Sequence, residues 1–188
     1  MNTENKITKI IVDDEIFLEL NNINTAPIFF ALQLKNYEEF SKWFPWTETT
    51  KNVEDQEKYL TECITEYEEN KALSLGINYK GEWVGRIGLH TFSKYGKYAD
   101  VWYWLNGSHE GMGIVSRSLQ ALIKFSFENF LLNKIKLDCA STNEKSKKVA
   151  ERNEFKLEGV LREENVHPKL GARDKIVYGL LKNEFYSK

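Results

Sequence analysis

The chain reads as an α+β protein, a mixed α/β domain in which a central, mostly antiparallel sheet is flanked by helices. Two features predict it. Strand-like segments run together in the first half and then alternate with helical ones, which places helices on both faces of one sheet. The chain of 188 residues also has only three prolines and no repeat or low-complexity tract, so no linker divides it and residues 1–188 form one domain.

Taken in order, Glu15–Asn21 alternates Ile16, Leu18 and Leu20 with Phe17 and Glu19, the period of a first strand. Thr25–Leu34 predicts a helix with Pro27 in its first turn. Asn36, with Glu39 three residues on, has the form of a capping box for a short second helix. Trp43-Phe44-Pro45-Trp46 ends that helix, because the residue before a proline avoids helical geometry. Val53, Leu60, Cys63, Ile64 and Tyr67 then fall at helical spacing. Leu73–Tyr79 and Glu82–Phe92 predict a hairpin turning at Lys80-Gly81. Tyr98–Leu105 is an aromatic, β-branched strand. Val115, Leu119, Leu122, Ile123, Phe127, Phe130 and Leu131 mark an amphipathic helix, and Ile135–Cys139 a strand. Ser141 with Glu144 suggests a second capping box, opening a helix to about Asn153. Phe155–Leu161 and Lys175–Leu181 are closing strands.

Composition narrows the function. A net charge of −2 gives no general attraction to nucleic acid or to an anionic membrane. No run of about 20 apolar residues is long enough to span a bilayer, and the polar N-terminus lacks the apolar core of a secretory signal. Cys63 and Cys139 have no metal-ligand spacing, so the expectation is a cytoplasmic protein with free thiols and no metal.

The most informative stretch is Asn106-Gly-Ser-His-Glu-Gly-Met-Gly-Ile114, between the aromatic strand and the amphipathic helix. Such a turn presents free N–H groups and the positive end of the helix dipole, which together bind phosphate or pyrophosphate. Gly111 and Gly113 permit a close backbone approach. The dinucleotide fingerprint G-x-G-x-x-G fails because position 116 is Ser, and the Gly-Lys-Ser/Thr of a P-loop is absent.

With Trp43-Phe-Pro-Trp46, Val84-Gly-Arg-Ile-Gly-Leu89, Tyr103-Trp-Leu105, Gly111-Met-Gly-Ile114, Asn143-x-x-Ser146, Phe155-x-x-Glu158-Gly159 and Asp174 in this order, the chain resembles the GCN5-related N-acetyltransferases. It is most similar to the branch that acetylates ribosomal-protein N-termini, the RimJ/RimL type. Ser108 stands where the family pattern R/Q-x-x-G-x-G/A has Arg or Gln, and Glu154 where Gly often precedes the Phe. The resemblance implies a mixed sheet with a splayed cleft between the fourth and fifth core strands. It also implies acetyl-CoA as co-substrate and direct transfer of acetyl to an amine. The N–H groups of Gly111, Met112, Gly113, Ile114 and Val115 are expected to hold the pyrophosphate, and Ser116 is expected among the cofactor-binding residues. The main chain of Tyr103, Trp104 and Leu105, from a bulged strand, is expected to pair with the pantetheine arm and steady the thioester oxygen, and Asn143 to hydrogen-bond that arm. Ser146 is the candidate to protonate or orient the leaving thiolate. Lys148, within the cluster Lys145, Lys147, Lys148 and Arg152, is a candidate for the 3′-phosphate, and His109 for a CoA contact.

The candidate general base is Asp100, at the start of the aromatic strand. Trp43, Trp46 and His90 are candidates to line the acceptor groove. The implied acceptor is a protein N-terminus, by resemblance a ribosomal protein beginning with Ser or Ala, and by analogy the protein forms a homodimer. Small amines such as polyamines or aminoglycosides, and a non-catalytic acyl-CoA sensor on the same fold, are the competing readings.

Overall fold

The computed structural model describes residues 7–93 and 95–187. One eight-stranded sheet runs β1 (Lys9–Ile11), β2 (Ile16–Leu20), β3 (Leu73–Tyr79), β4 (Glu82–Ser93), β5 (Tyr98–Leu105), β6 (Lys134–Ala140), β8 (Gly171–Leu181), β7 (Lys156–His167) in spatial order. Every neighbouring pair is antiparallel except β5 and β6. The helices are α1 (Ala26–Lys35), α2 (Tyr37–Phe40), α3 (Val53–Glu68), α4 (Ile114–Asn129), α5 (Glu144–Arg152) and α6 (Lys182–Tyr186).

Period-two alternation sends the two sides of the sheet into two cores. One gathers Leu18, Leu75, Ile87, Val101, Ile135 and Leu137 beneath Leu119, Leu122, Ile123 and Phe127 of α4. The other is aromatic: Phe29 of α1, Phe40 of α2, Leu60 of α3 and Trp104 of β5 enclose it, with Phe44, Trp46, Trp83 and Trp102 packed against it. Arg86, only 1% exposed, sits among the rings of Phe29, Tyr59 and Trp102 and donates to Ser74 Oγ at 2.6 Å.

The expected strands and long helices are present, with differences that have local causes. Lys9–Ile11 is an additional first strand, too short for periodicity to reveal. Asn36 does not cap α2 with its side chain. Its Nδ2 donates to Leu32 O and Asn106 Oδ1, and its Oδ1 accepts from Gly107 N–H at 2.8 Å, latching the first helices to the end of β5. The cap of α5 is Asn143 rather than Ser141: Asn143 Oδ1 accepts from Ser146 N–H at 3.1 Å. Helix α4 stops at Asn129, so Phe130 packs back on Phe92 and Phe125 while Leu131 is exposed. The closing hairpin is longer than its apolar pattern, because polar residues carry β7 on to His167.

Candidate active site

The parallel pairing of β5 with β6 stops at Val101 opposite Leu137. Beyond that point β5 stays bonded to β4 as far as Leu105, and β6 to β8 as far as Ala140. The two strands diverge because each is held by its outer neighbour, and the splay opens a cleft of about 260 Å³.

The parity of the β5 hydrogen bonds decides which backbone groups face that cleft. Asn106 N–H donates to Val84 O at 2.7 Å, so Asn106 and, two residues back, Trp104 form the hydrogen-bonded pairs with β4. The N–H and C=O groups of Tyr103 and Leu105 therefore point the other way, into the splay. Trp104 spends its main chain on β4 and contributes its ring instead, against Phe40 at 5.3 Å, Phe29 at 5.9 Å and Trp46 at 6.5 Å. The bulge expected in β5 is absent there. Its register with β4 is unbroken from Asp100 to Leu105 and shifts only between His90 and Ser93.

At the top of the cleft Gly111 and Gly113 have φ of 77° and 72°, the left-handed region that favours glycine. Gly113 is the N-cap of α4 and no side chain caps that helix, so its first N–H groups are open to a ligand. A Cβ at either glycine would meet nothing within 4 Å, so conformation rather than crowding demands them. Opposite, the first turn of α5 brings Asn143, Lys145, Ser146 and Lys148 to the cleft, with Val149 and Arg152 behind. Tyr103 reaches across from β5 to Ser146 Oγ at 3.3 Å.

Lys145 Nζ lies 2.9 Å from Glu110 and 3.4 Å from Glu39, which joins the glycine loop, α5 and α2 across the mouth. Glu39 also accepts from Lys42 at 2.8 Å and from the Trp43 indole at 3.3 Å. The Lys42 hydrogen bond, with Trp43 and Lys145, holds its carboxyl down at a pKa of about 2. On the far side the β7–β8 hairpin leans on the segment before α3. Lys169 pairs with Glu48 at 2.7 Å, and Arg173 donates to Lys42 O while its guanidinium lies over the Trp43 ring at 5.6 Å. That contact straps the cleft wall.

A family model for the acetyltransferase (GNAT) domain matches residues 19–156, which span the first helices, the splay, the glycine loop and α5. The chain belongs to the GNAT acetyltransferases. The ribosomal-protein-serine acetyltransferase of Escherichia coli (strain K12) is 30% identical over 148 residues, 78% of this chain and 83% of that protein. RimL, a ribosomal L7/L12 α-N-protein acetyltransferase solved with coenzyme A, superposes with a TM-score of 0.89 at 25% identity, covering 94% of this chain and 99% of that one. The microcin C7 self-immunity acetyltransferase MccE, solved with acetyl-CoA and AMP, gives a TM-score of 0.87 at 27% identity over 90% and 94% of the two chains.

This GNAT enzyme is thus an N-acetyltransferase that uses acetyl-CoA, and its cleft fits the co-substrate in three separate ways. The open N-terminus of α4 suits a pyrophosphate, the free edge of β5 suits the amide-bearing pantetheine arm as an added strand, and Lys148 and Arg152 supply positive charge. The thioester brings an activated acetyl carbon and a thiol leaving group. Free N–H groups at the splay are placed to receive the oxyanion that forms when an amine attacks. Among the described residues no cluster of three or more His, Cys, Asp or Glu is arranged to hold a metal.

Of the residues expected from sequence, the cleft is lined by Trp43, Tyr103, Trp104, Leu105, Gly111, Gly113, Ile114, Val115, Ser116, Asn143, Ser146 and Lys148, and by His109. Met112 turns its side chain out and is half exposed. Trp46 stacks behind Phe44 at 5.4 Å rather than lining the opening. His90 is exposed and bonded to Thr91, away from the cleft. Asp100 is also outside the lining: it lies in the paired stretch of β5, ion-paired to Lys136 at 2.9 Å. Its expected role as base is not supported by that position, since the splay begins only after Val101. Glu39 and Phe40 also line the cleft without having been expected there, and Lys145, expected only as part of the basic cluster, lines it too. Glu39 was visible only as half of a capping box that does not form.

Proposed function

We propose that this acetyltransferase acts on the N-terminal α-amine of a protein, a ribosomal protein by likeness to the serine acetyltransferase and RimL. The observation that carries the reading is the state of the carboxylates in the cleft. Glu39 is held at a pKa of about 2 and Glu110 is ion-paired with Lys145, so neither suits the removal of a tightly held proton. An α-amine has a pKa of about 7.7–8.0 and needs little help near pH 7.5, about 0.5 kcal/mol. A lysine side chain, at about 10.4, would need about 4 kcal/mol. The strap of Arg173 and Lys169 over the Trp43–Glu48 segment favours a narrow, extended acceptor such as a chain end. Asn143 and Ser146 serve the pantetheine and the leaving thiolate, Lys148 the 3′-phosphate, and Trp43 the acceptor wall. A ribosomal acceptor places the reaction in the cytoplasm, and the long edge strand β7 is a face on which two copies would pair as a homodimer.

MccE, whose name concerns microcin immunity and whose likeness is comparable, supports a small-molecule acceptor as the second reading. Incubation with acetyl-CoA and peptides beginning with Ser or Ala, or carrying only a reactive Lys, separates these. Fragment masses should place the acetyl group on the α-amine. Acetyl transfer to small amines but to no peptide would overturn the proposal.

A further inference from the structure

Helix α5 and strand β5 meet at a polar contact inside the cleft. Tyr103 and Ser146 both line the cleft, and the Tyr103 phenol donates to Ser146 Oγ at 3.3 Å. The backbone of Ser146 is fixed, because its N–H is held by the Asn143 cap at 3.1 Å. Its hydroxyl is a different matter. A serine O–H is one donor and two acceptor sites on a free rotor, and a donor that turns among three positions is a poor partner for a charge forming at one point.

We propose that Tyr103 is a positioning residue for the leaving step, its phenol occupying one lone pair of Ser146 Oγ so that the Ser146 proton is directed at the departing sulfur. The inference rests on the reading that Ser146 serves the leaving thiolate.

Two features give the contact its direction and limits. Burial raises the Tyr103 phenol well above its ordinary pKa, so it remains a donor throughout the working range. For the same reason it does not surrender its proton: a phenolate there would be an uncompensated charge in a desolvated site. Tyr103 therefore lends a hydrogen bond and Ser146 passes the polarisation on, since an O–H that accepts a hydrogen bond becomes a better donor. The separation of 3.3 Å is long for O–H···O, and such contacts commonly tighten when the reacting complex forms.

The step balances without a further reactant. The amine lone pair attacks the thioester carbon and the carbonyl electrons move to oxygen. Collapse of the tetrahedral adduct reforms the carbonyl and breaks the C–S bond. The bonding pair stays on sulfur, which takes the hydrogen bond of Ser146, and the amine's surplus proton goes to water.

Tyr103→Phe keeps the ring that packs against the main core and removes only the hydroxyl. In full-length protein, with acetyl-CoA and the Ser peptide, it should lower kcat about fivefold, the size of one hydrogen bond. The KM for acetyl-CoA and the melting temperature should stay near those of the unmodified protein. In a Ser146→Ala background the same change should do nothing more, because its effect travels through Ser146. An unchanged kcat in Tyr103→Phe, or an equal fall with and without Ser146, overturns the proposal. Release of CoA thiol with hydroxylamine as acceptor reports C–S cleavage whatever the natural amine is. Failure on the peptide with a Tyr103 effect on thiol release would therefore sink the acceptor assignment and leave this inference standing.

Discussion

Replacing Glu154 by glycine should stabilise the protein. Glu154 follows α5 with φ of 63°, the left-handed region. Its surroundings form a complete helix-ending motif: Phe155 N–H donates to Ala150 O at 3.0 Å, and Glu154 N–H to Glu151 O at 3.0 Å. The position between those bonds is the one glycine fills best, and an L side chain there costs about 1–2 kcal/mol. Glycine returns part of that gain by loosening the unfolded chain, about 0.4–1 kcal/mol. The exposed carboxylate's own surface interaction is worth a few tenths more. The net gain should be about 0.5 kcal/mol, or about 1–2 °C in melting temperature for a chain of this size. Urea denaturation and thermal melts at pH 7, read by circular dichroism, measure it. Glu154→Ala is the control, because alanine keeps the strain and loses the carboxylate, so it should give no gain. A glycine variant no more stable than the alanine one would refute the strain argument.

Three further outcomes follow from the cleft and its surroundings. Gly113→Ala puts a Cβ on a residue at φ 72° and, by straining the loop about 1–2 kcal/mol, should weaken CoA binding roughly 5- to 30-fold in calorimetry, or lower stability by the same amount; a variant unchanged in both would show that the loop does not need its left-handed turn. Glu39 is depressed in the folded state, so its contribution is present above the unfolded value near 4.5 and lost as pH falls toward about 2. The gap in melting temperature between the unmodified protein and Glu39→Gln should thus be steady above pH 5.5 and close on acidification through that window; a gap that persists at pH 2 would deny the pairing with Lys42 and Lys145. Burial pushes the Cys139 thiol up to about 11, so at pH 8 about one molecule in a thousand is thiolate, and peptide mapping should find it alkylated by iodoacetamide far more slowly than an exposed thiol.

How far the sequence disclosed all this differs from element to element. Strands such as Leu73–Tyr79 and Tyr98–Leu105 were legible to the residue, because their apolar content and bounding turns leave no competing period. The glycine loop was legible because few other arrangements need two glycines between an aromatic strand and an amphipathic helix. Side-chain caps were not. Asn36 and Ser141 each stand three residues before a Glu, yet Asn36 serves a contact 70 residues away at Asn106, and Asn143 captures the cap of α5. A local pattern cannot register a distant partner that competes for the same amide. Asp100 falls outside the cleft lining for a related reason, since its place at the start of the strand was legible but the point at which β5 leaves β6 was not.

That point of divergence organises the chemistry. A parallel pair in the middle of an otherwise antiparallel sheet has no hairpin joining its strands, so nothing in the chain forces them to stay together beyond Val101 and Leu137. Each is committed to its outer neighbour, and the Tyr103 and Leu105 backbone groups are left over. In a buried sheet, orphaned donors and acceptors would cost stability. Here the cleft keeps them accessible, and a pantetheine arm laid in as an added strand would satisfy them with the bonds a missing strand would have made. The same opening sets Tyr103 facing Ser146 and brings the Trp104 ring under Phe40 and Trp46 on the other side. Among the described residues this is where two neighbouring strands part, and under the proposed function co-substrate and acceptor would meet there from opposite faces of the sheet.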